Sequence, residues 1–297
     1  MTARPPHRLI PYLQIVGAAF LFSTGGAAIK ASTLTAWQIS SFRSGIAVIA
    51  LLALIPAARR RVAWTRPALI GGAALGATFV LYVHANTLTT AADAIFLQGT
   101  APLYVAVLGT LFLGEKPHAR EIAFMGALAV GGAAFFVGLP QPLATAPDPA
   151  TGNLLGTLSG LTWALTILGL RWVQRGGTGR ASAAVVAISG NFMACLVGLP
   201  AALPVVGATA LDWGLVGFLG VFQIGVAYVL LTKAVQRLTA LEVSLFVLIE
   251  PVLNAVWAWW IHGEALSGWA VGGGALILTA AAVRALTQGR TPTRTTA

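Results

Sequence analysis

Glu250 sits in the run Leu248-Ile249-Glu250-Pro251, deep inside a long apolar stretch. A carboxylate there could bind a cationic or amine group of a solute, carry a coupling proton, or serve as the structural partner of Arg43 or of another helix. Arg43 lies in a second apolar stretch. A guanidinium withdrawn from water demands an acceptor, which could be a substrate carboxylate, a carboxylate of the protein or a helix C-terminus. Asn254 follows Glu250 by four positions, a helical spacing that puts both on one face, and Trp257 continues that face. Glu250, Asn254 and Trp257 thus form a polar and aromatic stripe, the best candidate for a solute-facing wall. Gln98 stands four positions before Pro102 and shares its face. Tyr82 and Tyr228 could close over a solute, and Phe22 and Trp163 add further rings. Such rings accept cations on their faces, and they equally pack helices or mark the interface. His84, Asn86 and Asp93 are close in the chain. They could form a gate or cavity mouth, or be interfacial residues wetted by headgroups. His84 and Glu250 are the candidates for proton coupling.

Other polar groups invite a plainer reading. Lys30 closes an apolar stretch and could snorkel to headgroups. Glu115 and Glu264 follow glycines at stretch borders, where they suit helix termination or contact with the following helix. Pro102 and Pro251 each remove a backbone donor, so each could kink its helix and free a carbonyl, or simply shape the packing. No glycine-rich phosphate loop, zinc-binding HExxH or calcium-loop pattern is present, so a nucleotide-driven pump and a metal enzyme have no support. The single cysteine, Cys195, excludes an internal disulfide framework. The expectation is a protein with no catalytic residues, no metal and no cofactor.

The elements that must carry these residues follow from composition. Hydrophobic residues make up 57% of the 297, glycine adds 34, and only 18 Lys or Arg and 8 Asp or Glu are present. That is too little charge to cover a soluble protein of this length, and it points to lipid as the solvent. Ten stretches reach the roughly 20 apolar residues that a membrane helix needs. They are Pro11–Ala31, Trp37–Pro56, Pro67–Leu88, Ala92–Leu113, Glu121–Leu139, Gly152–Val173, Ala181–Leu199, Trp213–Leu231, Leu241–Ile261 and Leu266–Leu286, numbered below as spans 1 to 10. The first reads as a membrane helix and not as a signal peptide. With the N-terminus in the cytoplasm, 16 of the 18 Lys and Arg fall on the inner side, among them Arg4, Arg8, Arg59, Arg60, Arg61, Lys116, Arg175, Arg180, Arg290 and Arg294. Both termini are therefore expected in the cytoplasm. The net charge of +10 is an orientation signal and not a nucleic-acid patch.

The chain also repeats itself. Ala85, Pro102 and Glu115 match Ala234, Pro251 and Glu264 at one offset of 149 residues. Five spans per half is an odd number, so residues 1–145 and 146–297 are expected to form two inverted five-helix repeats of an all-α membrane protein. The Pro and Gly-Glu endings of spans 4 and 9 (Pro102, Gly114-Glu115; Pro251, Gly263-Glu264), Arg43 in span 2 and the five-plus-five layout resemble the EamA-type transporters of the drug/metabolite transporter superfamily. That resemblance implies an inner or plasma membrane carrier, often an exporter of amino acids or related solutes, with a central cavity lined by both halves. It also implies that spans 5 and 10 are more peripheral. Asp93 and Gln98 depart from the more usual apolar pattern of the first half. The expected activity is alternating-access transport of a small polar metabolite, secondary-active or facilitative. The alternatives are an intramembrane lipid-modifying enzyme, which needs its acid and base gathered near one leaflet, or a non-transporting membrane subunit. The expected partners are the solute, the bilayer and a coupling proton, with the protein a monomer or a homodimer.

Overall fold

The computed structural model describes residues 9–55, 64–113, 119–137, 139, 141–175 and 179–288. Arg4, Arg8, Arg59, Arg60, Arg61, Gly114, Glu115, Lys116, Arg290 and Arg294 lie outside the described residues, as do the side chains of Arg175 and Arg180. Among the described residues the secondary structure is helical, apart from one isolated bridge between Leu143 and Ala146. Lipid offers the backbone no hydrogen bonds, so the apolar stretches satisfy themselves as helices. Ten of these are long and apolar enough to cross a membrane. Span 1 covers Ile10–Lys30, span 2 Ala36–Leu54, span 3 Arg66–Leu88, span 5 Ala119–Val137 and span 10 Gly268–Thr287. Threonine sets many starting points: Thr35, Thr65, Thr90, Thr209 and Thr239 cap spans 2, 3, 4, 8 and 9 by accepting a backbone N–H three residues on.

Three spans are interrupted and a fourth is widened. Span 1 breaks at Thr24, between Ile10–Ser23 and Gly25–Lys30. Span 4 breaks at Gly99 and Thr100, between Ala91–Gln98 and Ala101–Leu113. Span 9 breaks at Leu248, between Ala240–Val247 and Ile249–His262. The breaks in spans 4 and 9 both fall just before a proline, Pro102 and Pro251, whose missing N–H cannot continue the preceding turn. Span 8 stays helical but widens to a π-helix over Leu219–Val226.

Span 3 packs on spans 6 and 7, span 8 on spans 1 and 2, span 4 on span 6, and span 9 on span 1; spans 2 and 7, and spans 5 and 10, pair with each other. Exchanging the two halves maps this set of contacts onto itself, an arrangement compatible with two inverted repeats. Close approach is bought with small residues: Gly76 lies against the carbonyl of Gly190, and a Cβ at Gly273 would stand 2.5 Å from the Gly131 oxygen. One apolar core joins Ile29, Ile39, Val83, Phe96, Phe135 and Leu219 from six spans. Large side chains point outward elsewhere, with Ile49 69% and Trp260 71% exposed, as a lipid-facing surface requires.

The links preceding spans 2, 4, 6, 8 and 10 gather on one face. Asp212, at the start of span 8, accepts from Ser32 and Thr33 in the span 1–2 link, and the Asp148 N–H donates to the Leu88 carbonyl at 3.0 Å. On the opposite face, the Tyr12 hydroxyl donates to Glu242 at the start of span 9. Span 1 ends where span 6 begins, so the two run in opposite directions.

Candidate solute pathway

Arg43 is 1% exposed, one of the largest side chains sealed in the bundle. Its Nη2 donates to the Phe79 carbonyl at 3.2 Å and its guanidinium lies 5.5 Å from the Phe79 ring centre. The Nε has no acceptor. Tyr82 and Tyr228 stand within electrostatic reach of both Arg43 and Glu250. One basic and one acidic side chain therefore share a neighbourhood with a pair of phenols, contributed by spans 2, 3, 8 and 9. Among the described residues Arg43 and Glu250 form no ion pair with each other. The Arg43 acceptor is a backbone carbonyl, and the expected alternative of a structural Arg43–Glu250 pair is not what the side chains make. Glu250 keeps part of its surface accessible and is the second residue of the half-helix that starts at Ile249, where the free N–H groups favour a negative charge.

The stripe on span 9 extends from this group. Asn254 is fully buried and its Nδ2 lies 3.4 Å from the Tyr82 hydroxyl. Trp257 turns toward span 1, where its Nε1 donates to Ser23 Oγ at 3.0 Å. Asn86 is also fully buried; its Nδ2 donates to the Tyr82 carbonyl at 3.0 Å, which aims its Oδ1 away from its own helix. The Oδ1 atoms of Asn86 and Asn254 both converge on Gly26, just past the break in span 1, and both lack a donor. A Cβ on Gly26 would stand 3.0 and 2.8 Å from them. Hydrogen-bonding capacity left open inside a bundle is costly, which makes these two amides candidates for receiving water or solute.

His84, Asn86 and Asp93 have different surroundings. His84 stacks edge-on against Trp37 with ring centres 4.4 Å apart, and its Nδ1 is 2.8 Å from the Val80 carbonyl. Asn86 belongs with Asn254 and Tyr82. Asp93 lies near the Lys30–Glu264 pair, within electrostatic reach of both. Residues two apart on a helix point to nearly opposite sides, so nearness in sequence separated these groups in space. Gln98 ends the first half of span 4, where its backbone packs on Gly160 of span 6, and no contact joins it to the Arg43–Glu250 group. Trp163 packs against the apolar cluster of spans 2, 3 and 7, which Tyr228 and Phe79 also border. Phe22 meets Tyr228 edge to face at 5.5 Å.

Sequence reasoning passed over Gln223. It lies in the π-helical part of span 8, is 7% exposed, packs against Gly25 and has an Oε1 with no donor. Ser40, Ser44 and Asn191 are likewise buried with an unpartnered oxygen. An amide or hydroxyl alone in an apolar span was the available signal, weaker than a charge. Lys30 and Glu264 correct an expectation: they do not snorkel or merely end helices but form a buried ion pair of 2.8 Å.

Two apolar cavities open in the bundle, neither of them lined by Arg43, Tyr82, Tyr228 or Glu250. One of about 360 Å³ lies between spans 1, 8 and 9, lined by Phe20, Thr24, Leu215, Phe218, Trp257 and Trp260. Another of about 470 Å³ lies between spans 3 and 6.

Ten membrane spans, breaks in three of them and buried polar groups without partners suit a membrane carrier. The sequence matches the EamA-like transporter family over residues 9–138 and 150–285, and the chain belongs to that family. Two relatives, the pseudopaline exporters CntI of Pseudomonas aeruginosa strains UCBPP-PA14 and PAO1, are each 30% identical to it over 276 residues, 90% of this chain and 93% of theirs. A solved protein structure resembles the fold with a TM-score of 0.63 at 20% identity, covering 94% of this chain and 98% of that one. The protein is a multi-pass membrane transporter and not an enzyme.

Proposed function

We propose that this protein exports a small polar metabolite, an amino acid or related solute, across the cell's inner membrane by alternating access. The observation that carries the reading is the Arg43–Tyr82–Tyr228–Glu250 group. It holds a cation and an anion that leave each other unpaired, inside a bundle where each charge costs free energy unless it has work to do. Both halves of the chain contribute to it, Arg43 and Tyr82 from the first, Tyr228 and Glu250 from the second. Glu250 would receive a basic group of the solute, Arg43 an acidic one, and Asn254 and Asn86 would fix the orientation. The breaks in spans 1, 4 and 9 give the bundle places to bend, and rocking of one inverted repeat against the other would turn the site from one face to the other. Export as the direction is supported by the relatives named as exporters. The placement of Lys and Arg supports cytoplasmic termini. Glu250 and His84 remain the groups through which a proton would couple.

Counterflow into proteoliposomes with pooled labelled metabolites tests this reading and names the solute. Uptake of at least one labelled solute against preloaded unlabelled solute is expected. Absence of counterflow for every pool, from protein shown to be folded and inserted, would sink the proposal.

A further inference from the structure

Lys30 and Glu264 take no part in the solute group, yet between them they join several links of their face. The Lys30 ammonium contacts Glu264 Oε1 at 2.8 Å and donates to the carbonyls of Thr89 and Thr145. Glu264 Oε2 accepts the Ala91 N–H at 2.9 Å. Through two side chains, each 2% exposed, the end of span 1 is tied to the links between spans 3 and 4, 5 and 6, and 9 and 10 and to the start of span 4. Such a knot closes this face of the bundle. A buried ion pair is a poor stabiliser, because desolvation offsets most of the attraction, whereas losing one partner leaves a buried charge alone at high cost. A gate built on such a pair needs somewhere for the lysine to go. Asp93 supplies it. It lies in the first turn of span 4, is 2% exposed, has the Thr89 hydroxyl at 3.4 Å and the side chains of Thr90 and Asn153 beside it, and is within electrostatic reach of Lys30. Two carboxylates thus lie within reach of one ammonium.

We propose that Lys30 is a two-position gate: paired with Glu264 it seals this face, and as the face opens it passes to Asp93 while Glu264 withdraws with the span 9–10 link. The handover keeps the ammonium neutralised throughout, so no lone charge is left at low dielectric. Glu264 moves toward the headgroup region, where water solvates it. The inference rests on the alternating-access reading above.

The test uses full-length protein in lipid nanodiscs, with Cys195→Ser and spin labels at Leu143 and Ala265, exposed positions on two of the links that Lys30 joins. Glu264→Gln retains an acceptor for the Ala91 N–H and removes the charge. It should raise the long-distance population about tenfold, the effect of moving a minor open state of a few per cent toward parity. Asp93→Asn alone should lower the long-distance population, because the open state then has no carboxylate to receive the lysine while the Glu264 pair of the closed state stays intact. Glu264→Asp, which keeps the charge at shorter reach, should give a smaller shift of the same sign and serves where Glu264→Gln does not fold. Unchanged distances in both Glu264 variants, or widening in Asp93→Asn alone, would overturn the gate; a merely structural tie predicts loosening by every variant. The distances are read without solute. A failed counterflow assay would therefore remove the carrier reading while leaving the gate, and unshifted distances with intact counterflow would do the reverse.

Discussion

Glu250 and Arg43 are expected to act on the solute, not on the fold. Glu250 makes no hydrogen bond or ion pair among the described residues, and Arg43 makes a single hydrogen bond. Glu250→Gln should therefore leave the protein monodisperse and thermally stable while weakening half-saturation of counterflow by about 10- to 100-fold, the value of one charge-assisted hydrogen bond. Equal losses of stability and binding would assign Glu250 to packing instead. Arg43→Lys tests geometry at constant charge. An ammonium cannot reproduce the fork that holds Phe79 O with one nitrogen and leaves Nε for another acceptor. Solute binding by this variant, measured by scintillation proximity, is expected to fall by at least about tenfold.

Among the elements, the breaks in spans 1 and 9 carry the sharpest expectations. Gly26 is where the span 1 backbone passes closest to span 4 and to the two buried amides. A methyl there would stand 2.7 Å from Ala91 Cβ and 2.8 Å from Asn254 Oδ1. Gly26→Ala should lower the midpoint of thermal unfolding, at a cost of about 1–3 kcal/mol from overpacking. Gly126, with nothing within 4 Å of its would-be Cβ, is the control. Gly126→Ala should be neutral or stabilising by up to about 1 kcal/mol, since alanine favours a helix interior. In span 9, Pro251→Ala restores an N–H where the helix is interrupted at Leu248. A straighter, stiffer span 9 should slow turnover more than it weakens binding, which a comparison of counterflow rate with equilibrium binding resolves.

At the scale of the whole molecule, ten spans place Leu143 and position 175 on opposite faces, one in the span 5–6 link and the other at the far end of span 6. With Cys195 replaced, a cysteine at 143 should react with an impermeant maleimide in intact cells and a cysteine at 175 only after permeabilisation. Labelling of both from one side would contradict the span count, and the reverse pattern would contradict cytoplasmic termini. An apolar outer surface is what contact with lipid requires, so its apolarity alone does not mark a subunit contact.

Composition alone determined that the chain lies in a bilayer, because 57% hydrophobic residues leave too little polarity for a water-facing surface. Apolar run length then gave ten helices, since lipid leaves the backbone no other partner. Pro102 and Pro251 announced two breaks for the same local reason, a missing N–H. Glu250, Asn254 and Arg43 were legible because charge and amide are expensive in hydrocarbon wherever they occur. Which of these groups meet was decided only by the packing of helices far apart in sequence. That packing divided His84, Asn86 and Asp93 among three neighbourhoods, brought Gln223 to Gly25 and closed Lys30 onto Glu264 across 234 positions. A sequence fixes the cost of burying each side chain, but its partner depends on the angle at which each helix faces its neighbours.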